Sequence, residues 1–325
     1  MRTEPRAEAT PTDRPIFGLP VDTRILFSNH KGVYKPRIEK NKTKLLRKLG
    51  FLANFLDADE KLVFVTTGCS PYSTLEQLTV GALWVYLLKR ALFVFTNKRL
   101  FHIPTTWQLD YRGSIAQILY QDCKRLQVSG SGLVAEYHTG KKDRFASIPG
   151  PDRKIIKHFQ FATSASDQRS ENPRRNHLCP SCTQVLPARA VTCPSCGLEF
   201  KSRAKALTRS IVLPGGGYFY TGHPFLGACD ALGEAYLVIL NVVVLFAGLL
   251  GDAEALATLP VFLALLVGEK VGTVYHSNSF LKEFIPENLK ALLPGRPVQR
   301  VQPGPPPIPA PPQPKRRPED VLSLR

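Results

Sequence analysis

Two apolar runs toward the carboxyl-terminal end dominate the pattern of the chain. Residues 226–250 are almost entirely apolar, and between Tyr236 and Leu250 only Asn241 is strongly polar. A short break at 251–254 is followed by a second run from Ala255 to about Tyr275. A helix crosses the hydrocarbon layer with about 20 apolar residues, so the pair predicts a transmembrane hairpin with a very short loop. A third apolar stretch, 80–95, is interrupted at mid-length by Lys89 and Arg90, and two adjacent charges at that depth argue against a span there. Four charged residues lie within the hairpin. Asp230 and Glu234 share a face of the first span, and Glu269 and Lys270 stand near the end of the second. The antiparallel arrangement brings them to similar depth, and Lys270 is expected to pair with Glu234, which lowers the cost of burying both. Gly268 and Gly272 form a small-xxx-small pair of the kind that packs helices closely, including helices of a second copy.

Ahead of these runs the period shortens. Residues 45–56 place Leu45, Leu49, Leu52 and Leu56 at helical spacing, which predicts a helix packed on the domain that follows. Residues 61–67, the two halves of 91–103 about a turn at Asn97-Lys98, 115–120, 126–128, 133–138 and 144–148 read as short strands. Glycine-containing loops at 130–132 and 139–142 join the later ones. Residues 151–162 then turn helical, with Ile155, Ile156, Phe159 and Phe161 as the apolar positions. Short antiparallel strands closed by one helix predict a small barrel or sandwich, and the whole chain reads as a multidomain α+β protein with an α-helical hairpin.

The expected organisation is a disordered basic arm at 1–41, a helix plus β domain at 42–162 and a polar linker at 163–176. A metal module at 177–200, the hairpin domain at 206–278 and a proline-rich basic tail at 279–325 follow.

The metal module rests on four cysteines. Cys179-Pro180-Ser181-Cys182 and Cys193-Pro194-Ser195-Cys196 are identical turns separated by ten residues. Two residues between paired cysteines aim both thiolates at one ion, and two such knuckles complete a four-sulfur cage suited to structural zinc. Two disulfides are the competing reading. No secretory signal opens the chain, so reduced thiols are expected. A closed four-sulfur site leaves no position for substrate and acts as a folding staple. His177 reads as a solvated linker residue, and Cys69, Cys123 and Cys229 as ordinary buried thiols.

Charge adds an acidic partner to the picture. Lys plus Arg number 43 against 26 Asp plus Glu, a formal charge of +17, which suits anionic lipid, nucleic acid or an acidic protein. Lys201, Arg203, Lys205 and Arg209 precede the first span, Lys282, Lys290, Arg296 and Arg300 follow the second, and the loop carries only Asp252 and Glu254. The positive-inside rule then predicts an inner-membrane protein with both termini and the soluble domains in the cytoplasm.

Two stretches resemble known families. Thr96-Asn97-Lys98-Arg99-Leu100 at a strand end, followed by a Tyr/Ile-containing strand, a glycine hairpin and a closing helix, resembles the bacterial pleckstrin-homology-like domains over about 57–162. That resemblance implies a binding module. Its candidate contacts to anionic lipid or a partner are Lys89, Arg90, Lys98, Arg99, Lys141 and Lys142. Gly217, Tyr220 and Gly222, in a glycine- and aromatic-rich lead-in to the first span, resemble the small two-transmembrane domain over about 206–278. That family implies a membrane hairpin and brings no catalytic residues. Gly215 to Gly217 suit a sharply bent backbone there, and Tyr218, Phe219 and Tyr220 an interfacial aromatic belt.

No HExxH, GxSxG or Walker loop is present, so the chain reads as a membrane-anchored binding or adaptor protein rather than an enzyme. Nucleic-acid binding through the zinc module and basic arms is the first alternative. The loop 183–192 weakens it, with Arg189 its only charge and no aromatic for base stacking. An oligomeric membrane protein handling a small solute or lipid is the second.

Overall fold

A computed structural model of the chain describes residues 15–159, 170 and 173–288. The amino-terminal part opens with α1 (Thr23–Leu26) and α2 (Pro36–Arg47). An antiparallel sheet begins with β1 (Leu62–Cys69), is interrupted by α3 (Thr74–Val80) and α4 (Ala82–Leu88), and resumes with β2 (Arg90–Thr96), β3 (Arg99–Pro104) and β4 (Ile115–Leu119). A second sheet comprises β5 (Cys123–Ser129), β6 (Gly132–Tyr137) and β7 (Lys142–Phe145), followed by α5 (Gly150–Ile156). The strand β8 (Asn176–Leu178) returns to the first sheet, giving the order β1-β2-β3-β4-β8 beside β5-β6-β7. Four helices complete the described chain: α6 (Arg203–Val212), α7 (Gly216–Thr221), α8 (Pro224–Leu249) and α9 (Ala253–Leu281).

The two sheets share one core without closing into a barrel. Phe64, Phe93, Phe95 and Phe101 from the first sheet meet Leu133, Tyr137 and Phe145 from the second, with Ile155 and Ile156 of α5 over them. The fold is therefore mixed α+β with open antiparallel sheets. The turn at Asn97-Lys98 joins β2 to β3 as the sequence predicts.

Other expectations shift. The arm expected to be disordered is ordered from residue 15 onward: Leu19, Val21 and Leu26 enter the core, and Val21 and Asp22 add to the start of β1. The helix expected at 45–56 breaks after Arg47 into a short 3-10 turn, Gly50–Asn54, near a glycine that costs helix about 1 kcal/mol. Leu46, Leu49, Leu52 and Phe55 are nonetheless buried. The helix expected to run to 162 ends at Ile156, and 160–162 lie outside the described residues, as do most of the linker and the tail from 289.

Lys42, on α2, is buried. Its Nζ donates to Val65 O at 2.7 Å and pairs with Asp152 at 2.9 Å, tying α2 to β1 and α5.

The helices α8 and α9 are long and apolar enough to cross a membrane. Their apolar side chains face outward: Leu232, Val243, Leu249, Val261 and Val271 are all exposed. A core helix of a soluble protein would bury these groups, and an exposed apolar surface of this extent calls for an apolar covering.

Candidate metal centre, polar lock and basic cleft

The two Cys-Pro-Ser-Cys turns are built alike. In the first, Thr183 N–H donates to Cys179 O at 2.9 Å and Cys179 N–H to Gln184 O at 2.8 Å. In the second, Gly197 N–H donates to Cys193 O at 3.0 Å and Cys193 N–H to Leu198 O at 2.8 Å. The residue after each second cysteine, Thr183 and Gly197, takes the left-handed conformation with φ of 63° and 74°. Such turns point both thiols of a knuckle the same way. All four Sγ atoms lie within 4.8 Å of one another, Cys179 3.5 Å from Cys196 and Cys182 3.6 Å from Cys193. Four soft sulfur donors converging from two knuckles can hold a metal ion such as zinc.

The cysteine unit is joined to its surroundings on both sides. On one side β8 pairs with β4, Leu178 against Ile115, and runs directly into Cys179. On the other, Phe200 bridges Pro286, Lys201 N–H donates to Ile285 O at 2.9 Å, and Glu287 N–H to Glu199 O at 3.0 Å. Phe284 packs edge-on against Phe200 and beside His177. His177 is thus a buried strand residue rather than a solvated one. Burial, reinforced by Arg175, holds its imidazole down at about 3, so it stays neutral.

Within the helical part the structure brings Glu234 and Lys270 together. Lys270 Nζ is 2.5 Å from Glu234 Oε2 and also donates to Ser210 O at 2.9 Å, while Gly215 N–H reaches Glu234 Oε1 at 3.4 Å. The pair therefore connects α8, α9 and the α6–α7 turn. Asp230 and Glu269 lie beside it, and Thr273 Oγ1 donates between them at 3.0 and 3.1 Å. Removing one partner of a buried ion pair costs about 3–5 kcal/mol, whereas replacing both by apolar groups is often neutral. Lys270→Met alone is expected to lower the melting temperature of the detergent-solubilised protein clearly. The double variant Glu234→Leu/Lys270→Met should recover much of that loss. Equal melting of the parent and the single variant would refute the role.

The turn before α8 departs from the expected aromatic belt. Tyr218 and Tyr220 are buried against α6 and α9, and only Phe219 is exposed. Gly268 and Gly272 face open space rather than the partner helix. Cys229, expected to be buried, is exposed on α8, while Cys69 and Cys123 are buried.

The six basic residues proposed as ligand contacts do not converge. Lys89 is buried, its Nζ 3.1 Å from Glu76 and 2.9 Å from Ser279 Oγ. Burial lowers its pKa, with Glu76 opposing. Its ammonium is taken up by these contacts. Arg90 donates to Trp107 O at 3.0 Å. At the opposite end of β2, Lys98 pairs with Asp59 at 2.6 Å and Arg99 with Glu60 at 2.6 Å. Lys141 is exposed on the β6–β7 hairpin, in the other sheet, and Lys142 pairs with Glu136 at 3.2 Å.

A different set lines a single cleft, although Arg175 is paired with Asp143 and Glu283 and Lys201 Nζ donates to Tyr220 O. A cleft of about 430 Å³ between the cysteine unit and the end of α9 is lined by Arg174, Arg175, Arg189, Lys201, Arg203 and Lys282, with no acidic residue among its lining. Burial, then the neighbouring Arg112, pushes the Lys201 ammonium below its ordinary value. These cations come from four separate segments, so no local spacing announces the cleft in the sequence.

No family model, no curated protein and no solved structure matches this chain. The functional reading therefore rests on the geometry above.

Proposed function

We propose that this chain is a membrane-anchored binding module. In this reading α8 and α9 span the inner membrane, the sheets form a pleckstrin-homology-like unit on the cytoplasmic side, and Cys179, Cys182, Cys193 and Cys196 hold a structural zinc. The single observation that carries the reading is the double attachment of the cysteine unit, strand-paired to β4 on one side and bonded to the segment after α9 on the other. A metal at that joint would fix the soluble sheets against the ends of the spans. The chain would act by presenting a surface and not by chemistry.

The basic cleft at the same joint supports an anionic ligand, a phospholipid headgroup in the first place. Basic groups near an anionic surface contribute about 1 kcal/mol each, so three of them correspond to roughly a hundredfold in affinity. The full-length protein in neutral detergent is expected to bind phosphatidylglycerol over phosphatidylcholine, more weakly as salt rises. The variant Arg189→Glu/Arg203→Glu/Lys282→Glu should lose about a hundredfold of that preference. Equal binding of both lipids by the parent would contradict the reading. A salt-sensitive gel shift with nucleic acid, lost in the same variant, would favour nucleic-acid binding instead.

A further inference from the structure

The helices α3 and α4 interrupt the first sheet between β1 and β2 with fifteen residues in which Glu76 is the sole charge, and Glu76 is buried. The exposed face of the pair is apolar and aromatic: Leu78 is 78% exposed, Leu83 69% and Trp84 37%. Trp107, 63% exposed, continues it from the β3–β4 loop. Nothing in the soluble core requires this face, because the pair is held from behind. Ser279 Oγ donates to Glu76, Lys89 closes the buried triad, and Ser73 Oγ lies 3.0 Å from Tyr275 OH.

Those partners are residues of the apolar helices, so the level of α3–α4 along the hairpin can be read. Trp84 stacks on Phe225, centroids 5.6 Å apart. At about 1.5 Å per residue, Phe225 lies about 36 Å from the loop end of α8 and Tyr275 about 33 Å from the loop end of α9. Both sit a few ångströms beyond a hydrocarbon layer of about 30 Å, at the depth where tryptophan and tyrosine concentrate. Trp84, Trp107 and Phe225 also line one cleft of about 540 Å³ that opens between the sheet and the start of α8.

We infer that the α3–α4 pair is an interfacial anchor, laying Leu78, Leu83 and Trp84 into the headgroup and upper acyl region of the same bilayer that α8 and α9 cross. The occupant of the face is lipid, because the face is continuous with the lipid-facing surface of the spans and carries no exposed charge. The inference rests on the transmembrane reading of α8 and α9. It gives the soluble unit a second grip on the membrane and fixes which of its faces looks at the lipid.

The chain has only two tryptophans, which makes the test direct. Full-length protein is reconstituted in phosphatidylcholine vesicles that contain acyl chains brominated near the headgroup or near the chain end. Resistance to alkaline carbonate is scored on the same vesicles. In W107F, with Trp84 the remaining indole, emission should be blue-shifted, strongly quenched by shallow bromines and weakly by deep ones. In L78W/W84F/W107F the reporter at position 78 should behave alike, and L78E/L83E added to W107F should lessen the quenching while carbonate resistance persists. Carbonate-resistant protein whose Trp84 is quenched by aqueous acrylamide and not by bromolipid would overturn the inference and leave the spans intact. Indoles shielded from both quenchers would overturn it in favour of a protein partner or second copy. Release of the protein by carbonate would overturn the transmembrane reading itself.

Discussion

Cys193→Ser is expected to release the metal and loosen the soluble sheets from the helical hairpin. A structural four-sulfur site binds zinc with an apparent free energy of about 10–16 kcal/mol in isolated peptides, and the small unit around these cysteines has little core beyond Leu186, Phe200 and the thiols themselves. Loss of one thiolate removes a ligand, and the three remaining thiols, Cys179 buried among them, lose the ion that would draw them together. Limited proteolysis should then cut between β8 and α6 while sparing the parent there, and metal analysis should find the variant depleted. Chelation of the parent protein should produce the same cleavage pattern, and added zinc should reverse it. A variant as protease-resistant as the parent, with or without metal, would mean that the β4–β8 pairing and the Phe200–Phe284 contact suffice without an ion.

The second large effect lies in the three consecutive glycines before α8. Gly215 has φ of +65°, a left-handed conformation that costs a non-glycine residue about 1 kcal/mol or more, and a Cβ there would stand 2.0 Å from Gly227 O. At Gly216 a Cβ would meet Arg209 O at 2.1 Å. Both obstacles are backbone atoms, which cannot rotate away, so a methyl group at 215 must push the turn off α8 and one at 216 must push it off the end of α6. Gly215→Ala and Gly216→Ala are each expected to destabilise by about 3 kcal/mol or more, read as a lower melting temperature and reduced yield of folded protein in detergent. Gly268→Ala is the matched control: open space surrounds that position, and the variant should melt with the parent. Loss of stability only in Gly268→Ala would reverse the assignment of the packed face.

How far the sequence foretold this structure depends on the range over which each signal acts. The hairpin, the β2–β3 turn and the cysteine cluster were legible because period, turn chemistry and a repeated tetrapeptide are local. The Glu234–Lys270 contact was legible because two antiparallel helices with a short loop leave little freedom in register. Strand limits drifted at β5 and β7, where pairing partners rather than composition set the ends. The helices α3 and α4 were hidden in an apolar run, although Ser73 and Glu76 spell a capping box that marks the start of α3. The strand β8 straddles the boundary drawn between linker and metal module, because its three residues become strand only by pairing with β4. Charge was the least reliable guide. Lys89, expected as a ligand contact, is buried in an ion pair, while the cleft of Arg174, Arg189, Lys201, Arg203 and Lys282 is assembled only by tertiary contact.

The central claim is that a metal-stapled soluble unit is locked to a membrane-spanning hairpin. The most direct test is the zinc-to-protein ratio in the carbonate-resistant membrane fraction of cells expressing the full chain. The account predicts that the protein stays in that fraction and carries one zinc per chain. Protein released into the carbonate supernatant, or retained in the membrane without zinc, would contradict it.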